Sequence, residues 1–165
     1  MSENVFTKRL PVIIIISIFL IVGIITIIIF SCSTQWKPIS QEEFISTTEE
    51  AGLETSPYKA GLTQYNEVTA AVSATNNKYT IYYYECSNNS VAINIFDSKK
   101  YNQAERATVG NKNTNETTFL NYNNIKYVKG DTFWCLVRAD NIVIFVDTKS
   151  EYKDEINNIL LKWGY

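Results

Sequence analysis

The feature that most constrains this chain is an apolar run at residues 11–30, PVIIIISIFLIVGIITIIIF, which contains no charged side chain. At about 1.5 Å per residue, a helix of this length spans roughly 30 Å, the thickness of the hydrocarbon core of a bilayer. We therefore predict a transmembrane helix at 11–31, preceded by a cytoplasmic segment at 1–10. A juxtamembrane linker is expected at 32–39, and an extracytoplasmic domain at 40–165.

The charges beside the apolar run predict its orientation. Lys8 and Arg9 come directly before the run, whereas Lys37 is the only basic residue at positions 31–40. Because basic residues are retained on the cytoplasmic side, the N-terminus is expected inside and the C-terminal domain outside. The predicted localisation is the cell membrane, with a single pass and with the lipid bilayer as the partner of residues 11–30.

Two features near the end of the run leave alternatives open. Cys32 follows a branched apolar residue and a small residue, as in a lipoprotein signal, so a lipid-modified Cys32 is the alternative to an uncleaved signal anchor. The uncleaved anchor is favoured because the run is long, Phe30 is bulky for such a signal, and no A-x-A-like cleavage site follows. Trp36 either lies at the membrane interface or packs on the folded domain.

Composition argues against catalysis and against binding of nucleic acid or metal. Without Lys8, Arg9 and Glu3 the chain carries a net charge of −3, so attraction to nucleic acid is not expected. The sequence contains no histidine, the commonest metal ligand and general base near neutral pH. Cys86 and Cys135 form no C-x-x-C motif, and the strand assignments place them on opposite faces. We predict no catalytic residue, metal or cofactor. The face assignment argues against a disulfide between the two cysteines and leaves their oxidation state open.

Capping signals and hydrophobic periodicity predict one α+β domain. Ser40 and Glu43 form a capping box, and Gly52 suits a helix end, so the first helix is expected over Gln41–Ala51. Residues 53–65 and 108–117 are expected to be loops. The other predicted elements are strands at 68–74 and 79–86, a helix from Ser90 to about Arg106, strands at 119–128, 132–139 and 142–148, and a final helix from a capping box at Thr148 to about Trp163. After the transmembrane helix, this antiparallel-sheet domain has the order α-β-β-α-β-β-β-α.

The first predicted hairpin places two tyrosines on one face. With a two-residue turn at Asn76-Asn77, Val72 pairs with Ile81, and Tyr82 and Tyr84 lie on the face opposite to Tyr83. Phenol groups suit the binding of a sugar or an extended peptide. The alternative is that a helix covers this face.

The last predicted hairpin is apolar on both faces. Val137 pairs with Ile144 on one face, while Trp134 and Phe145 lie on the other. Such a sheet is either buried on both sides or offers one side to a partner. Trp134 and Phe145 are therefore candidates for a partner-binding surface, with burial beneath a helix as the alternative.

The closing stretch, FWCLVRADNIVIFVDTKSEYKDEINNILLKWGY at 133–165, resembles a family of proteins of Gram-positive gut bacteria. Members of that family have an N-terminal anchor or a lipoprotein signal followed by a small α+β domain. The resemblance covers the last third of the chain well and the helix at 90–96 weakly. It implies membrane attachment and the fold, but no functional residue, because the family has no assigned activity.

These observations predict a non-catalytic, membrane-anchored domain that binds a peptide, glycan or protein at the cell envelope. The predicted binding residues are Tyr82, Tyr84, Trp134 and Phe145. A structural or regulatory subunit that docks on another membrane protein is the alternative. Exposure of Tyr82 and Tyr84 in a groove would favour recognition of a ligand, and burial of both beneath a helix would remove the reason for that hypothesis.

Overall fold

Seven strands form one antiparallel sheet in the computed structural model, which describes Ile21, residues 36–106 and residues 113–165. The strands are β1 (Glu54–Pro57), β2 (Val68–Thr75), β3 (Thr80–Cys86), β4 (Asn113–Phe119), β5 (Tyr122–Lys129), β6 (Thr132–Ala139) and β7 (Ile142–Lys149). They lie side by side in the order β1-β2-β3-β7-β6-β5-β4. The helices are α1 (Gln41–Glu50), α2 (Lys59–Gln64), α3 (Asn89–Arg106) and α4 (Lys153–Lys162), with a 3-10 turn at Ser150–Tyr152.

Helices cover both faces of the sheet. The apolar side chains of α1 and α4 pack on one face, beside Tyr83, Val137 and Ile144. The apolar side chains of α3 pack on the opposite face, beside Tyr84 and Leu136. The sheet is therefore the middle layer between two hydrophobic cores, which explains why the strands near its centre are apolar on both sides.

The predicted start of α1 is confirmed. The Glu43 amide donates to Ser40 Oγ at 3.2 Å, and Phe44 is buried one turn into the helix. Gly52 follows the helix with a φ of +81°, a conformation that glycine adopts without a steric penalty. The capping signal at 40–43 thus marks the start of the helix.

The predicted order of elements, α-β-β-α-β-β-β-α, is wrong. The stretch at 53–65, expected to be a loop, contains β1 and α2, and β4 begins within the polar stretch expected to be a loop at 108–117. β1 and β4 are the two edge strands of the sheet, and the described side chains of β4 are all exposed. Edge strands of this kind are held by backbone pairing to one neighbour, so they need no hydrophobic alternation.

The predicted pairing of Val72 with Ile81 is also wrong, by two residues. Val72 pairs with Tyr83, and Ala74 pairs with Ile81. The turn is wider than two residues because Asn76 Oδ1 accepts from the amides of Lys78 and Tyr79, at 2.9 and 3.0 Å. A shift of two residues leaves every side chain on the predicted face, except near the irregularity between Val68 and Ala70.

The last hairpin and the core stripe of the final helix are confirmed, but the capping box at Thr148 is not. Val137 pairs with Ile144 as predicted. Thr148 remains in β7, the 3-10 turn follows, and α4 begins at Lys153 without a side-chain cap. Side chains along the predicted stripe of α4 are buried, including Ile156, Ile159, Leu160 and Trp163.

The segment just before α1 packs on the domain, which begins at Trp36 as a compact unit. The Trp36 ring stacks on Tyr122 at 4.3 Å between centroids, which supports the domain-packing alternative for this residue. The Ile39 amide donates to the Tyr165 hydroxyl at 3.1 Å, and that hydroxyl donates to Lys37 O at 3.2 Å. Residues 36–39, placed in the predicted linker, are therefore part of the folded unit.

The predicted single-pass membrane localisation needs correction. Nowhere in the part of the chain that the structure describes is there a helix long enough and apolar enough to cross a membrane. The predicted transmembrane helix at 11–31 and the lipid-modification candidate Cys32 lie outside the described residues, apart from Ile21. The proposals for function therefore rest on residues 36–165.

Candidate functional site

Tyr82, Tyr84, Trp134 and Phe145, the predicted binding residues, all lie on the sheet face that α3 covers. Tyr84 is 1% exposed, Trp134 is 4% exposed and Phe145 is 7% exposed, whereas Tyr82 is half-buried. Burial beneath a helix, the alternative to a partner surface for Trp134 and Phe145, is what the structure supports, because α3 packs over β6 and β7. Trp134 instead stacks on Tyr127, at 5.2 Å between centroids.

Two tyrosines from outside the sheet join Tyr82 and Tyr84. Tyr58, just before α2, has its ring centroid 4.8 Å from that of Tyr82 and 6.1 Å from that of Tyr84. Tyr65, just after α2, meets Tyr84 edge-on at 6.1 Å. Tyr58, Tyr65 and Tyr82 are all half-buried, and together they form a partly exposed patch that we call the tyrosine surface.

The close fit of α2 against Tyr84 explains how the tyrosine surface is positioned. A Cβ atom at Gly61 would lie 2.6 Å from Tyr58 Cδ1 and 2.9 Å from Tyr84 Cε1, closer than real carbon contacts. The Tyr58 amide also donates to Ala71 O at 2.8 Å, which ties the start of α2 to β2. Glycine at 61 therefore allows the helix to hold both rings against the sheet.

Hydroxyl groups continue the tyrosine surface toward the edge of the sheet. Ser56, Ser73, Tyr82 and Phe145 occupy successive positions in one row across four paired strands. The two serine hydroxyls lie 3.2 Å apart. Along this row the face changes from exposed hydroxyls at β1, through the half-buried Tyr82, to the buried Phe145 beneath α3.

Lys99 of α3 lies above three of these rings. Its Nζ is 5.0 Å from the Phe145 centroid, 5.5 Å from the Tyr84 centroid and 5.9 Å from the Tyr65 centroid. Burial lowers the pKa of Lys99, because the ammonium group has lost part of its hydration. The arrangement is a set of cation–π contacts made by a half-buried lysine.

Tyr58, Tyr65 and Lys99 were not among the predicted site residues. The two tyrosines lie in the stretch expected to be a loop, where nothing indicates a shared face. Lys99 follows Ile95 by four positions and Phe96 by three, so it lies on the buried side of α3. That helical spacing is the sequence signal that identifies Lys99.

A second polar feature, built around Arg138, lies at the start of α3. Arg138 is 2% exposed, and its Nε donates to Asn123 Oδ1 at 2.7 Å. Its Nη1 donates to Asn89 Oδ1 at 2.7 Å and to Asp140 O at 3.4 Å. Burial lowers the Arg138 pKa, and Asp140 opposes that shift. The guanidinium group thereby joins β5 and β6 to the first residue of α3.

An open cleft of about 380 Å³ lies on the other face, at the N-terminus of α1. Its lining includes Ser40, Glu42, Tyr83, Glu85 and Asn141. Tyr83 is fully buried and offers no ring surface to a ligand, and the two carboxylates are on exposed or half-exposed residues. The cleft therefore lacks the convergence of partly exposed side chains that marks the tyrosine surface.

Comparisons with known proteins do not identify the family of this chain. No protein-family model matches the sequence, and no curated protein matches it. A crystal structure of a GTP binding regulator from Thermotoga maritima is similar with a TM-score of 0.39 and 11% identity, over 73% of this chain and 84% of that chain. A similarity at that score carries no argument about fold or function. The resemblance to Gram-positive anchored domains stays a prediction.

Buried thiols and phenols predict that the fold loses stability at alkaline pH. Burial raises the pKa of Cys86 to about 11 and the pKa values of Cys135 and Tyr122 to about 12. Because the unfolded chain releases these protons first, the stabilisation is complete below about pH 9 and declines as pH rises toward 12. The midpoint of urea unfolding, measured by circular dichroism, is expected to be lower at pH 11 than at pH 8.

The variant Tyr122→Phe serves as a control for this alkaline prediction. Phenylalanine has no proton to release, so the midpoint of this variant is expected to fall less between pH 8 and pH 11 than that of the parent chain. Lys99 and Arg138 act in the opposite direction, since their pKa values are lowered, but the buried thiols and phenols with raised pKa values outnumber them. An unchanged midpoint at pH 11 in the parent chain would contradict the prediction.

Proposed function

We propose that this chain is a non-catalytic domain that binds a polypeptide partner through the tyrosine surface. The observation that carries the proposal is the convergence of Tyr58 and Tyr65, at the two ends of α2, with Tyr82 of β3 onto one partly exposed patch. Tyrosine is enriched in protein interfaces because one ring supplies both apolar contact area and a hydrogen-bonding hydroxyl. Rigid aromatic anchors of this kind dominate the energy of many complexes.

The protonation states of the nearby groups support binding rather than chemistry. Burial raises the pKa values of Tyr65 and Tyr82, so both phenols are neutral hydrogen-bond donors at physiological pH. Cys86 is a buried free thiol with a raised pKa, which opposes formation of the reactive thiolate. Among the described residues, no cluster of acidic, cysteine or histidine side chains is arranged to hold a metal ion.

The docking alternative, with Trp134 and Phe145 as the contact residues, is less well supported. Both side chains lie beneath α3, so a partner would reach Trp134 only after displacement of that helix, and Phe145 only after Lys99, which lies over its ring, moves aside. The tyrosine surface, with its neighbouring row at Ser56 and Ser73, is accessible without such a change. We therefore place the partner on the tyrosine surface rather than on the hairpin of β6 and β7.

Selection of displayed peptides on the immobilised full chain tests the proposal. Enriched peptides are expected to bind the parent chain and to lose about tenfold or more in affinity with Tyr58→Ala, since truncation of an aromatic anchor costs about 1.4 kcal/mol or more. Tyr82→Thr is expected to lower the affinity by a similar factor, and threonine is a residue that suits a β-strand. Affinity is measured by titration calorimetry after circular dichroism has shown that each variant is folded.

A matched control is Tyr101→Ala, because Tyr101 lies on α3, is 65% exposed, and follows Lys99 by two positions, about 200° around the helix. This variant is expected to bind the selected peptides as the parent chain does. Failure to enrich any peptide, or affinity that does not change with Tyr58→Ala and Tyr82→Thr, would overturn the proposal. Binding of oligosaccharides on a glycan array in place of peptides would also overturn it.

A further inference from the structure

Three aromatic rings surround one ammonium group beside the tyrosine surface. Phe145, Tyr84 and Tyr65 hold their ring centroids 5.0, 5.5 and 5.9 Å from Lys99 Nζ, all within the range of cation–π attraction. The next residue, Lys100, behaves differently, because its Nζ makes an ion pair with Glu116 at 2.7 Å on the surface. Of these adjacent lysines, only Lys99 has its charge placed over aromatic rings.

The rings are held in place by contacts other than those with Lys99. Tyr84 is almost fully buried and touches Tyr58 and Tyr65 edge-on. Phe145 pairs across the sheet with Tyr82, and their rings are nearly parallel at 6.3 Å. Lys99, in contrast, is a half-buried side chain on four rotatable bonds. The rings can therefore keep their positions while the lysine moves.

We propose that Tyr65, Tyr84 and Phe145 form an ammonium-binding site that Lys99 occupies within the same chain. In the complex, a lysine side chain of the polypeptide partner replaces Lys99 over the rings. This inference rests on the proposed function, because the partner's lysine reaches the rings from the tyrosine surface. Because the ammonium group of Lys99 already lies over these rings, we expect the incoming group to be an ammonium group as well.

The exchange of one ammonium group for another conserves the cation–π contacts at the rings. The cation–π contacts that Lys99 loses are made again by the incoming lysine, and Lys99 regains hydration when it moves into solvent. Occupation by Lys99 lowers the apparent affinity for the incoming group in proportion to the fraction of time that the site is free. If Lys99 occupies the site for about nine-tenths of the time, removal of its side chain strengthens binding about tenfold.

The test uses the full chain with Lys99→Ala, and Lys100→Ala as its matched control on the same helix. Alanine suits a helix, so neither variant is expected to disturb α3. The probe is Nα-acetyl-lysine amide, titrated while NMR follows the ring signals of Tyr84 and Phe145. Lys99→Ala is expected to bind the probe about tenfold more tightly than the parent chain, with shifts at both rings, and Lys100→Ala is expected to match the parent chain.

Several outcomes would overturn the inference. Equal affinity of Lys99→Ala and the parent chain would do so, as would binding that leaves the Tyr84 and Phe145 ring signals unshifted. Binding of choline without binding of the lysine probe would assign the rings to a different ammonium source. If Lys99→Ala gains no affinity while selected peptides still depend on Tyr58 and Tyr82, the inference fails and the proposed function stands.

Discussion

Replacement of Arg138 by alanine is expected to lower the free energy of unfolding by about 3 kcal/mol, because the change removes two charge-assisted hydrogen bonds and a buried aliphatic stem. The lost bonds are those from the guanidinium group to the side-chain oxygens of Asn123 and Asn89, each 2.7 Å long. Asn89 is the first residue of α3, so the loss weakens the attachment of that helix. Urea unfolding followed by circular dichroism measures the effect.

Two further variants separate the role of the guanidinium group from a general effect of lost charge. Lys149→Ala removes an exposed lysine whose Nζ lies 3.6 Å from a Glu151 carboxylate oxygen, and its cost is expected to be below about 0.5 kcal/mol. Arg138→Lys keeps the charge but lacks the planar fork that reaches Asn89 and Asn123 together, so it is expected to recover only part of the loss. Equal stability of Arg138→Ala and Lys149→Ala would contradict a structural role for Arg138.

The hairpin of β6 and β7 shows what the sequence alone can predict. Apart from the buried Arg138, the strand residues between Phe133 and Val146 are apolar on both faces, and the turn at Asp140-Asn141 sets the register of the two strands. Because side chains alternate with a period of two, one correctly placed turn assigns every residue of the hairpin to a face. That rule alone places Cys135 and Trp134 on opposite faces of the sheet.

The edge strands show what local patterns cannot predict. β4, NTNETTF, has exposed side chains at 114–119 and a polar composition that is typical of a loop. β1 ends in Pro57, a residue more common in turns than in central strands. Both strands form because their backbone groups pair with a neighbouring strand that already exists, and that neighbour is set by the whole fold. The sheet therefore has two more strands than hydrophobic alternation indicates.

The candidate site was predictable in part. Strand periodicity placed Tyr82 and Tyr84 on one face, and the structure confirms that they share it. Tertiary packing determines which helix covers that face. The alternation of residues along a strand therefore cannot predict the burial of Tyr84 or the position of Lys99 above it. Gly61 was also missed, because its role depends on a close approach to Tyr84 across the sheet surface rather than on its neighbours in sequence.

Replacement of Phe44 by alanine is expected to be the most destabilising single change, at roughly 4 kcal/mol. Phe44 is 0% exposed, and its ring centroid lies 5.1 Å from that of Tyr83 and 5.5 Å from that of Trp163. One side chain thus joins α1, β3 and the end of α4, and its removal leaves a cavity that rigid neighbours cannot fill. A loss of this size is a large share of the roughly 5–15 kcal/mol that stabilises a typical domain.

Thermal unfolding distinguishes the loss of the buried Phe44 ring from the loss of an exposed aromatic ring. Phe44→Ala is expected to lower Tm by roughly 15 °C, whereas Phe119→Ala, at a position 51% exposed, is expected to change it by less than about 2 °C. Phe44→Leu refills most of the space and is expected to cost less than half as much as Phe44→Ala. If the Tm values of Phe44→Ala and Phe119→Ala are equal, the contact between α1 and α4 does not stabilise this face of the sheet. If Phe44→Ala alone unfolds early, the two helices and the sheet face beneath them form one cooperative core that depends on this ring.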